Sequence, residues 1–393
     1  MSLLVFAAGG AVLAVLARWW CPCLGWRWIG GYWLAAGAFF GASLVTAAVQ
    51  VPADVVYGQG PWREMVPGPP VVPANWLLID PPTQMVPWRA LVRDRLRRLE
   101  VPLWSNEMGT GQPLLGNAQS AVFSPLGLLA MPLPPVRALP VMAALKLFLS
   151  LLLMHALMAE LGAGAAGAVF AAVAFTFSVF SICWALYPVG MAAAWLPGVF
   201  LGMVRLRRGG RGGLAGLVAC ALGASLSGHP ESLAHTALAA GVVAIVLVGH
   251  AGRGADGGAG SGSGRGVSRR RFAGGLVLAA AITAGLAAPV LLPFVEALPE
   301  SMRTQMVAAS AERVQPPALG ARGLQVLIDP LAFGSPRDDS YDGPWNYNEL
   351  CSGYAGLLAL ALAAAAALVL RGRALAILAG GALAAGTAFA LPP

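Results

Sequence analysis

Apolar runs of about 18 residues or more recur along the chain, separated by short polar stretches. Each is long enough to cross a hydrocarbon core of roughly 30 Å as a helix. The pattern predicts spans at 2–17, 29–50, 139–160, 164–185, 188–204, 212–229, 232–249, 273–295, 353–370 and 374–391. Residues 212–249 form one run too long for a single crossing. Gly228-His229-Pro230-Glu231 interrupts it, with Arg205, Arg207, Arg208 and Arg211 before and Arg253, Arg265, Arg269, Arg270 and Arg271 after. Two basic flanks on one side require an even number of crossings, so the run is expected to be a helical hairpin turning at the His-Pro-Glu. The same logic divides 164–204 at Tyr187-Pro188. The run Leu3–Ala17 has no basic stretch before it and no convincing cleavage site after it, and is expected to be a retained span.

Loop charge predicts orientation. The loops 18–28, 205–211, 251–272 and 371–373 carry arginine and almost no acid, which places them on the cytoplasmic side. Residues 51–138 and 296–352 then lie outside. The first of these holds Arg89, Arg93, Arg95, Arg97 and Arg98, but loops beyond about 60 residues translocate regardless of charge. Segment 252–268, rich in Gly and Ser with scattered Arg, reads as a flexible cytoplasmic linker. The expected fold is all-α: a polytopic helical membrane protein with about ten spans. Its layout is two N-terminal helices (1–50), an extracytoplasmic loop (51–138), a helical block (139–295), a second outer loop (296–352) and C-terminal helices (353–393). The outer loops are expected to carry short amphipathic helices.

Composition agrees. Hydrophobic residues make up 58% and charged residues 11%, and the mean hydropathy is +0.72, so most of the chain cannot form a water-exposed surface. A net charge of +8 would point to nucleic acid in a soluble protein. Here the cations sit mostly in short loops between apolar runs, so no nucleic-acid partner is expected. Lys146 is the one lysine. The five cysteines form no disulfide framework: Cys183 and Cys220 lie in apolar runs and read as small core residues. Cys21-Pro-Cys23 offers two ligand atoms with no histidine nearby, a poor metal site. No nucleotide-binding loop, zinc-ligand pair or nucleophile elbow occurs, so an ATP-driven pump has no support. No cofactor and no metal ligand is assigned, and a divalent ion stays an open question.

The outer segments hold the candidate chemistry. Residues 87–99 read as an amphipathic helix starting at Pro87. Trp88, Leu91, Val92, Leu96 and Leu99 share one face, and Arg89, Arg93 and Arg97 follow at i, i+4, i+8 on another. It should lie along the membrane interface, Trp down and Arg up. Its arginines serve either as general contacts to anionic headgroups or as a bidentate clamp for one lipid phosphate. Asp80 follows the apolar Trp76–Ile79. It reads as a base with a carboxyl pKa raised by partial desolvation, or as a turn residue ahead of proline. Segment 104–125 mixes Gly, Asn and Gln with Glu107, which suits a polyhydroxylated ligand and equally an ordered loop. Lys146, His229 and Glu231 fall inside or at the ends of spans, where charges usually face a cavity or a partner. Lys146 is also within snorkelling reach of the interface. His155, deeper, reads as a hydrogen-bonded packing residue.

Several blocks occur in order: Asp80, Gln84 and Pro87, then "VPLWSNEMGTGQPLLGNAQSAVFSPLGLL", "AAAWLPGVFL", "SGHPES", "LAAPVLLPFVEALPESMR" and "GYAGLLALALA". Over roughly residues 76–370 they resemble the YfhO family of bacterial membrane proteins, related to the GT-C class of integral-membrane glycosyltransferases. The resemblance implies a GT-C-like fold in the bacterial inner membrane with an extracytoplasmic active face. It implies an enzyme moving a sugar from a polyprenyl-phosphate carrier to a cell-envelope glycan, lipid or protein. Asp80 then stands in the place of the catalytic carboxylate, with Glu107 a second acid. Arg89, Arg93, Lys146 and Arg303 suit the carrier phosphate, and His229, Glu231, Gln112 and Asn117 complete the candidate binding set. Family members usually continue with further spans and often an outer domain, so a short or C-terminally truncated form is expected, with an extra N-terminal span at 2–17. Two rival readings remain: a transporter or flippase for a lipid-linked saccharide, which calls for ionisable groups near mid-membrane and internal repeats, and a non-catalytic membrane component of envelope assembly.

Overall fold

The computed structural model describes residues 1–69, 71–249, 266–302, 304–305, 320–343 and 346–369. Its main helices are α1 Ser2–Trp20, α2 Trp26–Phe39, α3 Val86–Arg97, α4 Pro135–Glu160, α5 Ala165–Thr176, α6 Leu196–Arg208, α7 Gly213–Ser225, α8 Pro230–Gly249, α9 Arg269–Ala297, α10 Tyr347–Cys351 and α11 Leu357–Val369. The only strands among the described residues are the two-residue pair Trp104–Ser105 and Gln112–Pro113.

α4 is the axis of the bundle. It is apolar on all sides, and a helix of that kind belongs in an interior rather than on a surface. Its apolar window is 89% buried, with α1, α2, α3, α5 and α6 packed around it. α7 packs on α6, and α9 on α7. The peripheral helices bury only an inner stripe. The windows of α8 and α9 are 17% and 22% buried, and Leu4, Trp19, Leu34, Ile245, Val277 and Leu292 stand exposed on outward faces. An apolar exterior of that extent needs lipid or protein against it.

Among the described residues, five helices are long and apolar enough to cross a membrane: Ser2–Trp20, Pro135–Glu160, Pro188–Arg208, Pro230–Val248 and Arg269–Glu300. The third joins the short helix Pro188–Ala193 to α6. The chain is thus mostly helical with several long apolar helices. The remaining expected spans are shorter or broken. Segment 29–50 forms α2 and a short helix Gly41–Val45, interrupted at Phe40. Segment 164–185 forms α5 and a short helix Val179–Cys183, which restarts where the Ser178 hydroxyl accepts from the Ser181 N–H. Segments 212–229 and 353–370 supply the 13-residue helices α7 and α11. Hydropathy registers neither the backbone turn at Phe40 nor the capping hydroxyl of Ser178, so these apolar runs read as continuous. Segment 374–391, the loop 371–373 and the linker residues 252–265 lie outside the described residues.

Glu160, at the end of α4, accepts from Arg205 Nε at 2.8 Å and Arg208 Nη1 at 3.2 Å. Arg205 also donates to the Trp20 carbonyl at the end of α1, and Trp20 Nε1 donates to the Gly212 carbonyl at 3.1 Å. Arg207 reaches the carbonyl of Val267. The basic loops after α1 and α6 and the lead-in to α9 therefore meet at one end of the bundle, where cations also complement helix C-terminal dipoles. The segment before α4 lies at the opposite end.

Candidate functional site

The site begins with two prolines. Asn75 caps a 3-10 turn, Trp76–Leu78, by accepting from the Leu77 N–H. Pro81 and Pro82 then bring no N–H to an incoming helix, and the chain forms a wide π-type turn, Pro81–Met85, that runs into α3. Such turns are uncommon and favour functional positions. Asp80 immediately precedes it, half-buried, and its Oδ1 accepts from Gln84 Nε2 at 2.9 Å. Burial pushes the Asp80 carboxyl above the ordinary aspartate range, the direction a general base requires. Tyr187 donates its hydroxyl to the Leu77 carbonyl at 3.3 Å. Burial, and then the charge of Asp80, drive that phenol upward, so Asp80 and Tyr187 share one electrostatic neighbourhood.

α3 differs from the expected Arg-up helix. It ends at Arg97, and Leu99 stands beyond it at φ 59, fully exposed. Its buried stripe is Trp88, Arg89 and Val92, continuing Met85 of the preceding turn. The stripe follows helical spacing and includes Arg89. Periodicity placed Arg89, Arg93 and Arg97 together, but packing separates them. Arg97 is exposed, and Arg93 Nε donates to the Met131 carbonyl at 3.0 Å. Arg89 is only 5% exposed and makes no hydrogen bond or ion pair among the described residues. Burial lowers its pKa to about 10, which leaves it a cation at neutral pH.

Arg89 lines a narrow cavity of about 20 Å³, room for about one water molecule. Gln119, Ser120 and Ser124 of the 118–124 turn form one wall, Leu139 and Met142 of α4 another, and Leu186, Pro188 and Met191 a third. Ser227 closes the ring. Two backbone conformations bring these loops together. Ala121 adopts φ 48 and Gly228 φ 87. A Cβ on Gly228 would meet the Ala118 carbonyl oxygen at 2.6 Å, so only glycine lets the "SGHPES" turn rest on the "NAQSA" turn. Lys146 lies one helical turn further along α4 from Met142. It does not snorkel: it is 1% exposed and Nζ donates to the Ser181 carbonyl at 2.5 Å. The bonds that Arg89 lacks, Lys146 has. His155 is paired as well, 2.6 Å from the Tyr32 hydroxyl.

The other candidates sit elsewhere. Glu107 is bound to Arg95 at 3.1 Å, to the Ser105 hydroxyl at 3.1 Å and to the Asn106 N–H at 3.0 Å. Backbone and Ser105 hydrogen bonds hold its carboxyl below the usual range. A stabilised anion of this kind is a poor proton acceptor, and it does not line the cavity. Gln112 lies in the short strand facing Ser105. Asn117 caps the 118–120 turn through the Gln119 N–H. His229 Nδ1 pairs with the Ser232 N–H and hydroxyl at the start of α8. Glu231 is exposed on the first turn of that helix. Arg303 lies outside the described residues. Sequence reasoning did not single out Tyr187, Ser124, Gly127 or Gly228 as site residues; the Ser124-Pro125 and Gly228-His229-Pro230 pairs were the available signals.

The chain matches no protein-family model, no curated protein and no solved structure. What the fold and site define is a class: a helical protein with several membrane-length helices and a small cavity lined by an arginine that has no hydrogen-bond or ion-pair partner among the described residues, while the half-buried Asp80 sits on the turn leading into the arginine's helix and does not itself line the cavity.

Proposed function

We propose that the chain is a membrane glycosyltransferase of the GT-C kind, akin to the YfhO family, that moves a sugar from a polyprenyl-phosphate carrier to a cell-envelope acceptor. The observation that carries this reading is Arg89. Burying an unpaired cation is costly, and such a site is relieved when an anion enters it. A phosphate at the mouth of the cavity, whose walls must part to admit it, accepts two parallel bonds from the guanidinium. As the sugar–phosphate bond breaks, negative charge grows on the departing phosphate, and a fixed cation in a water-poor site stabilises that charge more than it does in the ground state. Lys146 adds positive potential from within α4. Asp80, kept basic by burial, takes the proton of the acceptor hydroxyl. In this reading the shorter apolar helices and the C-terminal run complete about ten spans of the bacterial inner membrane. The basic end faces the cytoplasm, and the cavity faces outward, where the carrier headgroup and the acceptor meet.

A transporter of the same lipid-linked saccharide is the second reading, favoured by the burial of Lys146 and His155 inside the bundle. One experiment separates the two. Purified protein in lipid is given radiolabelled polyprenyl-phosphate sugars and envelope extract, with Asp80→Asn and Arg89→Ala alongside. Transfer by the wild type, absent in Asp80→Asn with donor binding retained, supports the enzyme. Donor binding without transfer in wild type and Asp80→Asn alike rejects it and favours the transporter or a non-catalytic component of envelope assembly.

A further inference from the structure

Cys183 and Cys351 lie 168 positions apart in sequence, yet their Sγ atoms are 3.5 Å apart. Cys183 ends the short helix Val179–Cys183 and Cys351 ends α10. The pairing is held from several directions. Trp184 Nε1 donates to the Ser352 hydroxyl at 3.1 Å, and the Val179 N–H to the Tyr354 carbonyl at 3.4 Å. Asn75 Nδ2 donates to Asn348 Oδ1 at 3.2 Å, so α10 also touches the segment leading to Asp80. Two thiols so confined need close by only about 1.5 Å to reach bonding distance, a movement within the reach of side-chain rotation.

We propose that Cys183 and Cys351 are joined by a disulfide in the native membrane, fastening the second outer loop to the helical bundle near Tyr187 and the segment that leads to Asp80. The inference rests on the outward placement of that loop, because disulfides persist in oxidising compartments. The oxidant is a protein or small-molecule disulfide of the envelope. Cys183, the more accessible thiol, attacks it as a thiolate and releases one oxidant thiolate. The Cys351 thiolate then attacks the Cys183 sulfur of the mixed disulfide and releases the second. Two cysteine thiols are oxidised, one oxidant disulfide is reduced to two thiols, and the two protons pass to those thiols.

The test uses the full chain in its own membranes. Free thiols are trapped with N-ethylmaleimide under denaturing conditions. The sample is then reduced and labelled with a second maleimide, and peptides are mapped by mass spectrometry. Two of the five cysteines, Cys183 and Cys351, are expected to carry the second label, and Cys183→Ser should return Cys351 to the first. A parallel sample of purified wild-type protein is exposed to oxidised glutathione. Five free thiols in membranes with Cys183–Cys351 bonding in the purified sample would overturn the proposal together with the outward placement. Free thiols in both samples would overturn the pairing and leave the placement standing. A Cys21–Cys23 bond in place of Cys183–Cys351 also overturns it.

Discussion

The guanidinium of Arg89 lies so close to Gly127 that a Cβ at residue 127 would stand 2.5 Å from Nη2 and 2.6 Å from Nη1. The glycine on the short helix Pro125–Leu129 thereby sets where the cation points. In Gly127→Ala the obstructed atoms are the far end of a flexible side chain, so the fold should lose less than about 1 kcal/mol. On the proposed glycosyltransferase reading, the displaced cation should lower sugar transfer roughly tenfold to a hundredfold. Thermal unfolding in detergent and the transfer rate, measured on the same preparation, check the two effects.

Arg89→Met should move stability and activity in opposite directions. Removing a buried, unpaired charge in favour of an apolar side chain of similar length should stabilise the protein by about 1–3 kcal/mol. On the proposed glycosyltransferase reading, transfer should fall about a hundredfold or more, because the charge growing on a leaving phosphate would lose its fixed partner. A variant that is both more stable and fully active would show that Arg89 holds no substrate.

Asp80 predicts a pH signature. Its carboxyl is raised in the folded protein by burial, so the folded state holds the proton more tightly than the unfolded state. The resulting penalty is absent below the ordinary aspartate value of about 3.9, appears as pH rises past it, and is complete above the raised folded value. Asp80→Asn should therefore unfold at a higher temperature than wild type at neutral pH, and at the same temperature in strong acid. The acid limb of the transfer rate should lie above the ordinary carboxylate range, and the variant should lose about 10²–10⁴-fold in rate.

Gly228→Ala tests the seat of the cavity. The obstacle is the Ala118 backbone oxygen, which cannot swing aside as a side chain can, and φ 87 is strained for alanine. A stability loss of about 1–3 kcal/mol is expected, with transfer reduced because Ser227 and the 118–124 turn part. Thermal unfolding of Gly228→Ala against Gly241→Ala, where a Cβ meets nothing within 4 Å, isolates the effect.

At the other end of the bundle, Glu160→Gln should leave Arg205 without its carboxylate at a position where the arginine side chain is only 11% exposed. A loss of about 2 kcal/mol is expected, less than for a fully buried pair because water reaches part of the site. Denaturant unfolding of Glu160→Gln beside the exposed-pair control Asp94→Asn checks it; the control should shift by less than about 1 kcal/mol.

Much of the architecture was legible in the chain. Apolar runs announced the long helices, Pro188 and Pro230 announced helix starts, and the 3.6-residue period announced the helix that became Val86–Arg97. Asp80 was legible as a carboxylate between an apolar run and two prolines. These features are local, and local patterns report on burial and backbone geometry within a turn or two. The breaks at Phe40 and Phe177-Ser178 were not legible, because neither a local change of backbone angle at Phe40 nor the capping hydroxyl of Ser178 alters the average hydropathy of an apolar run.

The geometry of the candidate site was set instead by contacts between distant segments. The same periodicity fits Arg89 as well to an outward face as to an inward one; the missing side chain at Gly127 and the cavity walls decided that it points in. Lys146 was a candidate for a phosphate and Glu107 for a second acid. The Ser181 carbonyl keeps one inside the bundle, and Arg95 with Ser105 makes the other a settled anion. Cys183 and Cys351 read as unrelated residues in a sequence that separates them by 168 positions. Composition and periodicity thus determined which segments are helical and apolar. Which charges are buried and which are paired was decided by contacts between distant segments, because the energy of a buried charge depends on its neighbours in space and not on its place in a helical turn.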